Sequence, residues 1–115
     1  MKNSRWILSL SVALVLGLAA LTAVEKTAAA NPATAEVKID NFSFTPATLT
    51  VKAGTQITWT NGDDIPHTVV SDDHTTFKSK VLDTNDTFTF TISKPGTYSY
   101  FCSIHPKMTG KVIVE

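Results

Sequence analysis

From Thr87 to Ile92 the chain reads Thr-Phe-Thr-Phe-Thr-Ile, so Phe88, Phe90 and Ile92 share one face and Thr87, Thr89 and Thr91 share the other. That two-residue period belongs to a half-buried strand, because successive side chains of an extended backbone point to opposite sides. Ile57 and Trp59 alternate in the same way with Thr58 and Thr60. Further candidate strands are Glu36 to Phe44, Thr48 to Lys52, Gln56 to Asn61, His67 to Val70, Lys80 to Leu82, Thr97 to Cys102 and Lys111 to Val114. Turn residues punctuate them at Thr45-Pro46, Ala53-Gly54, Asn61-Gly62, Asn85-Asp86 and Lys94-Pro95-Gly96. No long stretch has helical periodicity, and only Ser71 to Ser79 leaves room for a helical turn. With no helices to carry crossovers between parallel strands, the pattern predicts an all-β, antiparallel Greek-key sandwich of seven or eight strands. Trp59 is expected in its core, and Tyr98 at a corner with its hydroxyl on a backbone carbonyl.

The first thirty residues stand apart from this pattern. Lys2 and Arg5 precede an uncharged run from Trp6 to Val24, and small residues follow at Leu21-Thr22-Ala23 and Ala28-Ala29-Ala30. A positive start, an apolar stretch and small residues after it predict a secretory signal peptide over 1–30. The run is also long enough to span a bilayer if retained, which makes an outer-side membrane anchor the alternative. A linker at 31–35 then leads to a domain at 36–115. Such a domain buries only about 60% of its unfolded surface, so each large apolar side chain counts. Periplasmic or otherwise exported placement follows, with the membrane as a partner only if the leader stays. Beyond Ala30 the chain carries seven Lys and nine Asp or Glu, a balance of −2 without a basic stripe. That excludes nucleic acid as the expected partner.

Cys102 is the only cysteine, so no intramolecular disulfide can form, and an unpaired thiol in an exported chain calls for an explanation. Alone it would read as a small buried hydrophobe, just as a lone His67 or Met108 would read as a satisfied histidine or a core filler. But the stretch Cys102-Ser103-Ile104-His105-Pro106-Lys107-Met108 places a thiol, an imidazole and a thioether three residues apart, and His67 opens a strand upstream. Two imidazoles and one thiolate with a weak thioether form the donor set of a blue-copper electron-transfer site, because soft sulfur suits Cu(I) and imidazole also suits Cu(II). Tyr98, Tyr100 and Cys102 have the same parity, so inward tyrosines turn the thiol inward too. His74, beside Asp72 and Asp73, reads as a solvated loop residue, and Asp63-Asp64 and Asp72-Asp73 as loop charges.

The order and spacing of Ile57-Thr58-Trp59-Thr60-Asn61, Ile65-Pro66-His67, Tyr98-Ser99-Tyr100-Phe101-Cys102 and the run through Met108 to Glu115 resemble the cupredoxins. The likeness is strongest to the amicyanin group, with plastocyanin and pseudoazurin more distant. Two residues between Cys102 and His105, and two between His105 and Met108, make the short ligand loop typical of amicyanins. The resemblance implies one type 1 copper held by His67, Cys102 and His105, with Met108 as a long axial ligand. It also implies a monomer that shuttles single electrons between redox proteins by transient docking. Three departures stand out: Thr68 where the family often has Asn, and Ile104 and Lys107 where amicyanins usually show Pro and Phe.

Two other classes of function compete. A periplasmic copper carrier without a redox role would use exposed clusters of Met and His, yet the chain has only two Met and three His. An enzyme built on Cys and His needs a base and an orienting third group, and no separate set of residues supplies one. The chain therefore reads as a non-enzyme.

Overall fold

The computed structural model describes residues 33–115. The expected leader at 1–30 lies outside them. Eight strands follow one another: β1 (Thr34–Asp40), β2 (Ser43–Thr45), β3 (Thr48–Val51), β4 (Gln56–Asn61), β5 (Val70–Ser71), β6 (Thr87–Thr91), β7 (Gly96–Phe101) and β8 (Thr109–Val114). They form two four-stranded sheets, ordered β2-β1-β4-β6 and β3-β8-β7-β5. Strand β1 begins at Thr34, so Thr34 and Ala35, expected as linker, are already in the sheet.

Alternation sets the core. In β4, Ile57, Trp59 and Asn61 are buried while Gln56 is exposed and Thr58 and Thr60 are half-buried. Opposite them in β6, Phe88 pairs with Trp59 and Phe90 with Ile57. On the outer face the hydroxyls of Thr58 and Thr89 meet at 3.2 Å. Val37, Ile39, Ile57, Trp59, Leu82, Tyr100 and Val112 are almost wholly removed from solvent. Burying an indole the size of Trp59 yields about 4 to 6 kcal/mol of gross transfer free energy, which makes it a main anchor of so small a core. The Tyr98 hydroxyl donates to the Lys94 carbonyl at 2.6 Å, as the corner position predicts.

The sandwich is not wholly antiparallel. Strand β1 runs parallel to β4, and β3 runs parallel to β8. A parallel pair needs a crossover, and here a strand of the opposite sheet provides it: after β2 the chain crosses to the other sheet as β3 and returns as β4 beside β1. The lack of helices therefore did not compel antiparallel pairing throughout.

Three local expectations also change. The strand expected from Glu36 to Phe44 is broken at Asn41 and Phe42, which take positive φ angles of 51° and 57° and turn β1 back onto β2. Lys80 to Leu82 forms only a bridge, Leu82 against His67. No helix occurs among the described residues. The segment from Ser71 to Ser79 is shaped instead by Asp73, whose Oδ1 accepts the N–H groups of Thr75 and Thr76 at 2.9 Å each.

Candidate metal centre

The ligand loop is a hairpin between β7 and β8. Its last rungs pair Tyr100 with Gly110 and Phe101 with Thr109. One step further, the Cys102 N–H donates to the Met108 carbonyl at 3.0 Å, and the Met108 N–H donates to the His105 carbonyl at 2.8 Å. These bonds close a tight loop and hold the thiol, the second imidazole and the thioether at one end of the sandwich. Gly110 matters to the closure, because a Cβ there would lie 2.4 Å from both Cζ and Oη of Tyr100.

His67 reaches the same end from the other direction. Its backbone bonds Leu82 in both senses, at 3.1 and 2.8 Å. The loop before it is organised by the buried Asn61 side chain. Asn61 Nδ2 donates to the carbonyls of Ile65 and Leu82, and Oδ1 accepts the Asp63 N–H, each at 2.9 Å.

Cys102 and His67 are fully buried, Met108 is nearly so, and His105 is partly exposed. Cys102 Sγ lies 3.7 Å from Nδ1 of His67 and 3.8 Å from Nδ1 of His105. One donor atom from each of His67, Cys102 and His105 lies within 4.8 Å of the others. Metal–sulfur and metal–nitrogen bonds of about 2.3 and 2.05 Å put their donor atoms about 3.8 Å apart at a trigonal angle, and about 3.6 Å apart at a tetrahedral one. The observed separations fall in this range, so the sulfur stands from each imidazole nitrogen at the spacing that a shared metal ion requires.

Burial pushes the Cys102 thiol up, but the hydrogen bond that the Thr68 N–H donates to its sulfur, together with polar contacts from His67 and His105, outweighs it and holds the group down at about 6. The Thr68 N–H lies 3.4 Å from Sγ. Thr68 also ties the two ligand segments together, as its Oγ1 accepts the Ser103 N–H and meets Ser103 Oγ, both at 2.7 Å. The Thr68 hydroxyl thus makes this tie, with Ser103 as its partner.

Sequence reasoning missed Asp63, read as a solvated charge. Its Oδ2 lies 2.7 Å from His67 Nε2. The backbone N–H of Phe42, opposed by desolvation and helped by Asn41 and His67, holds its carboxyl below the usual range. An ionised carboxylate has no proton to give, so Nε2 carries the hydrogen and Nδ1 turns its lone pair toward Cys102. The only sequence signal was the short reach from Asp63 to His67 in a loop opened by Asn61-Gly62. His74 stays outside the centre, edge-on to Phe101 at 5.5 Å.

Comparison with known proteins agrees with this geometry. A family model described as a cupredoxin-like domain matches residues 12–114. Amicyanin-alpha of Methylorubrum extorquens is 37% identical over 112 residues, covering 91% of this chain and 89% of its own. The chloroplastic plastocyanin of Tetradesmus obliquus is 35% identical, covering 75% of this chain and 69% of its own. A purple cupredoxin from Nitrosopumilus maritimus superposes with a TM-score of 0.67 at 34% identity, covering 70% of this chain and 99% of its own. With its two-sheet sandwich, its convergent thiol and imidazoles and these matches, the chain belongs to the cupredoxin family.

Proposed function

We propose that this protein is a small blue copper carrier of single electrons, with His67, Cys102 and His105 as strong ligands and Met108 as the weak axial one. The observation that carries this reading is the near-equal 3.7 and 3.8 Å separation of two imidazole nitrogens from one thiol sulfur in a largely buried site. Copper held there supplies a one-electron Cu(I)/Cu(II) couple suited to a mixed nitrogen and sulfur set.

The protein's own residues do the rest. Thr68 offers its N–H to the sulfur and stabilises the thiolate. Asp63 and the hairpin bonds fix both imidazoles, and packed strands on each side hold them in place, so little has to move when charge at the centre changes. His105 is the one partly exposed strong ligand, which makes its edge the route to a partner. Phe42 in the β1–β2 turn and Pro66, Ile104 and Pro106 beside the ligands are exposed and supply a small apolar rim. Redox encounters of this kind typically bury less than about 1,200 Å², which suits brief docking by a monomer. Lys107 adds a charge at the rim, so partner choice responds to salt. The protein acts as a carrier and transforms no substrate. It works outside the cytoplasm, in the periplasm, after removal of the leader at 1–30.

Visible absorption of the purified protein with one equivalent of Cu(II), followed by a mild reductant, tests this reading. An intense blue band that bleaches and returns on reoxidation is expected, and it is lost in Cys102→Ser. A pale spectrum indifferent to Cys102→Ser would sink it.

A further inference from the structure

Asn41 and Phe42 lie consecutively in the left-handed region, which residues with a side chain avoid. An aromatic residue stays there only when its surroundings over-determine it. Asn41 and Phe42 form the two-residue loop of the β1–β2 hairpin, where such angles are usual, and one carboxylate pins this loop to the site. Asp63 Oδ1 accepts the Asn41 N–H at 2.6 Å, and Oδ2 accepts both the Phe42 N–H at 3.0 Å and the His67 Nε2–H at 2.7 Å. Asp63 is itself anchored, since its N–H donates to Asn61 Oδ1 and its carbonyl accepts the Thr84 hydroxyl at 2.7 Å. The turn held in this way lays the half-exposed Phe42 ring edge-on against both imidazoles, 5.7 Å from His67 and 5.0 Å from His105.

We propose that Asp63 and Phe42 form one positioning device, in which the Asp63 carboxylate joins the buried imidazole of His67 to the left-handed turn and so sets the Phe42 ring as a cover over both imidazoles. The device rests on the copper reading and deepens it. Its two parts act differently. The carboxylate orients His67 and raises its basicity, which favours the more highly charged Cu(II). The Phe42 ring restricts solvent access beside His105, which slows loss of the metal.

NMR of the metal-free parent, potentiometry of the copper-loaded protein and removal of Cu(I) by a bathocuproine chelator test the device. In the metal-free parent, His67 is expected as the Nε2–H tautomer, with nuclear Overhauser contacts from the Phe42 ring to both imidazoles. Asp63→Asn places an NH2 donor against N–H donors. It is expected to abolish the Phe42 contacts and shift the Cu(II)/Cu(I) equilibrium about ten-fold toward Cu(I), a rise of about 59 mV. Phe42→Ala is expected to speed chelation at least about ten-fold while leaving the His67 tautomer unchanged, as an opened solvent path predicts. Should Asp63→Asn fail to fold, Asn41→Gly in the same chain removes part of the turn's strain and allows the measurement. An Nδ1–H tautomer in the parent would overturn the device. So would a folded Asp63→Asn protein that keeps both the Phe42 contacts and the parent potential. A parent without the blue band would overturn the copper reading alone, and the metal-free NMR would still decide the device.

Discussion

Replacing Gly110 with Ala puts a methyl group where Tyr100 already lies. The two residues face each other across β7 and β8, and the new Cβ would stand 2.4 Å from Cζ and Oη and 2.9 Å from Cε1. Carbon atoms pack comfortably at about 3.5 to 4.0 Å, so the ring must retreat by about 1 Å or more. It has nowhere to go. Tyr100 is fully buried, and its ring centre is 4.7 Å from that of Phe44, 5.6 Å from Trp59 and 6.0 Å from Phe77. Overpacking usually costs about 1 to 3 kcal/mol, and three aromatic neighbours place this case near about 3 kcal/mol. In a domain of this size that lowers Tm by about 12 to 24 °C, read by circular dichroism of the metal-free protein. The cost should persist in a Tyr100→Phe background, where Cζ remains, and fall below about 1 kcal/mol in Tyr100→Leu, where the clashing atoms are gone. A Gly110→Ala protein that melts with the parent, or whose deficit is unchanged by Tyr100→Leu, would refute the argument.

Met108→Leu should keep the intense blue band and raise the reduction potential, since an axial thioether donor is lost; a variant unable to hold copper would contradict a weak axial role. Thr68→Val should lower stability by about 1 to 3 kcal/mol in urea titration by leaving the Ser103 N–H unpaired, and Thr68→Ser should restore most of it. In the metal-free protein the Cys102 thiol should ionise with a midpoint near 6 rather than its ordinary 9.0, read by thiolate ultraviolet absorbance. The lowered value fixes the sign of the linkage: the thiolate's contribution to stability is full above about 9, shrinks as pH falls toward 6 and is gone below it. The stability gap between parent and Cys102→Ser should therefore widen from pH 6 to pH 9, and a gap that narrows would be inconsistent with the site's hydrogen bonding.

Where a side chain's role is local, the sequence displays it. Phe88, Phe90, Ile57 and Trp59 announce their strands by alternation, and Cys102, His105 and Met108 announce a donor loop by spacing alone. Tyr98 reaches a carbonyl only four residues away. What stays hidden depends on distant partners. Phe42 looks like one more strand residue, yet it lies in a left-handed turn, with its N–H held by a carboxylate 21 residues on. Asp63 looks solvated for the same reason. The parallel pairing of β1 with β4 and of β3 with β8 is a matter of which sheet each strand joins, and no short-range period encodes that.

The position of β8 has a consequence for how the molecule is made. It follows every other strand in sequence, yet it lies inside its sheet, between β3 and β7. A nascent chain that has produced the first seven strands leaves β3 without a neighbour, and the donor hairpin has only one of its two arms. The sheet of β2, β1, β4 and β6 has all its strands by the end of β6, but the sheet of β3, β8, β7 and β5 cannot close early, because long-range strand pairing must wait for both partners. The donor hairpin and the sheet that frames it therefore share one last requirement, the arrival of β8.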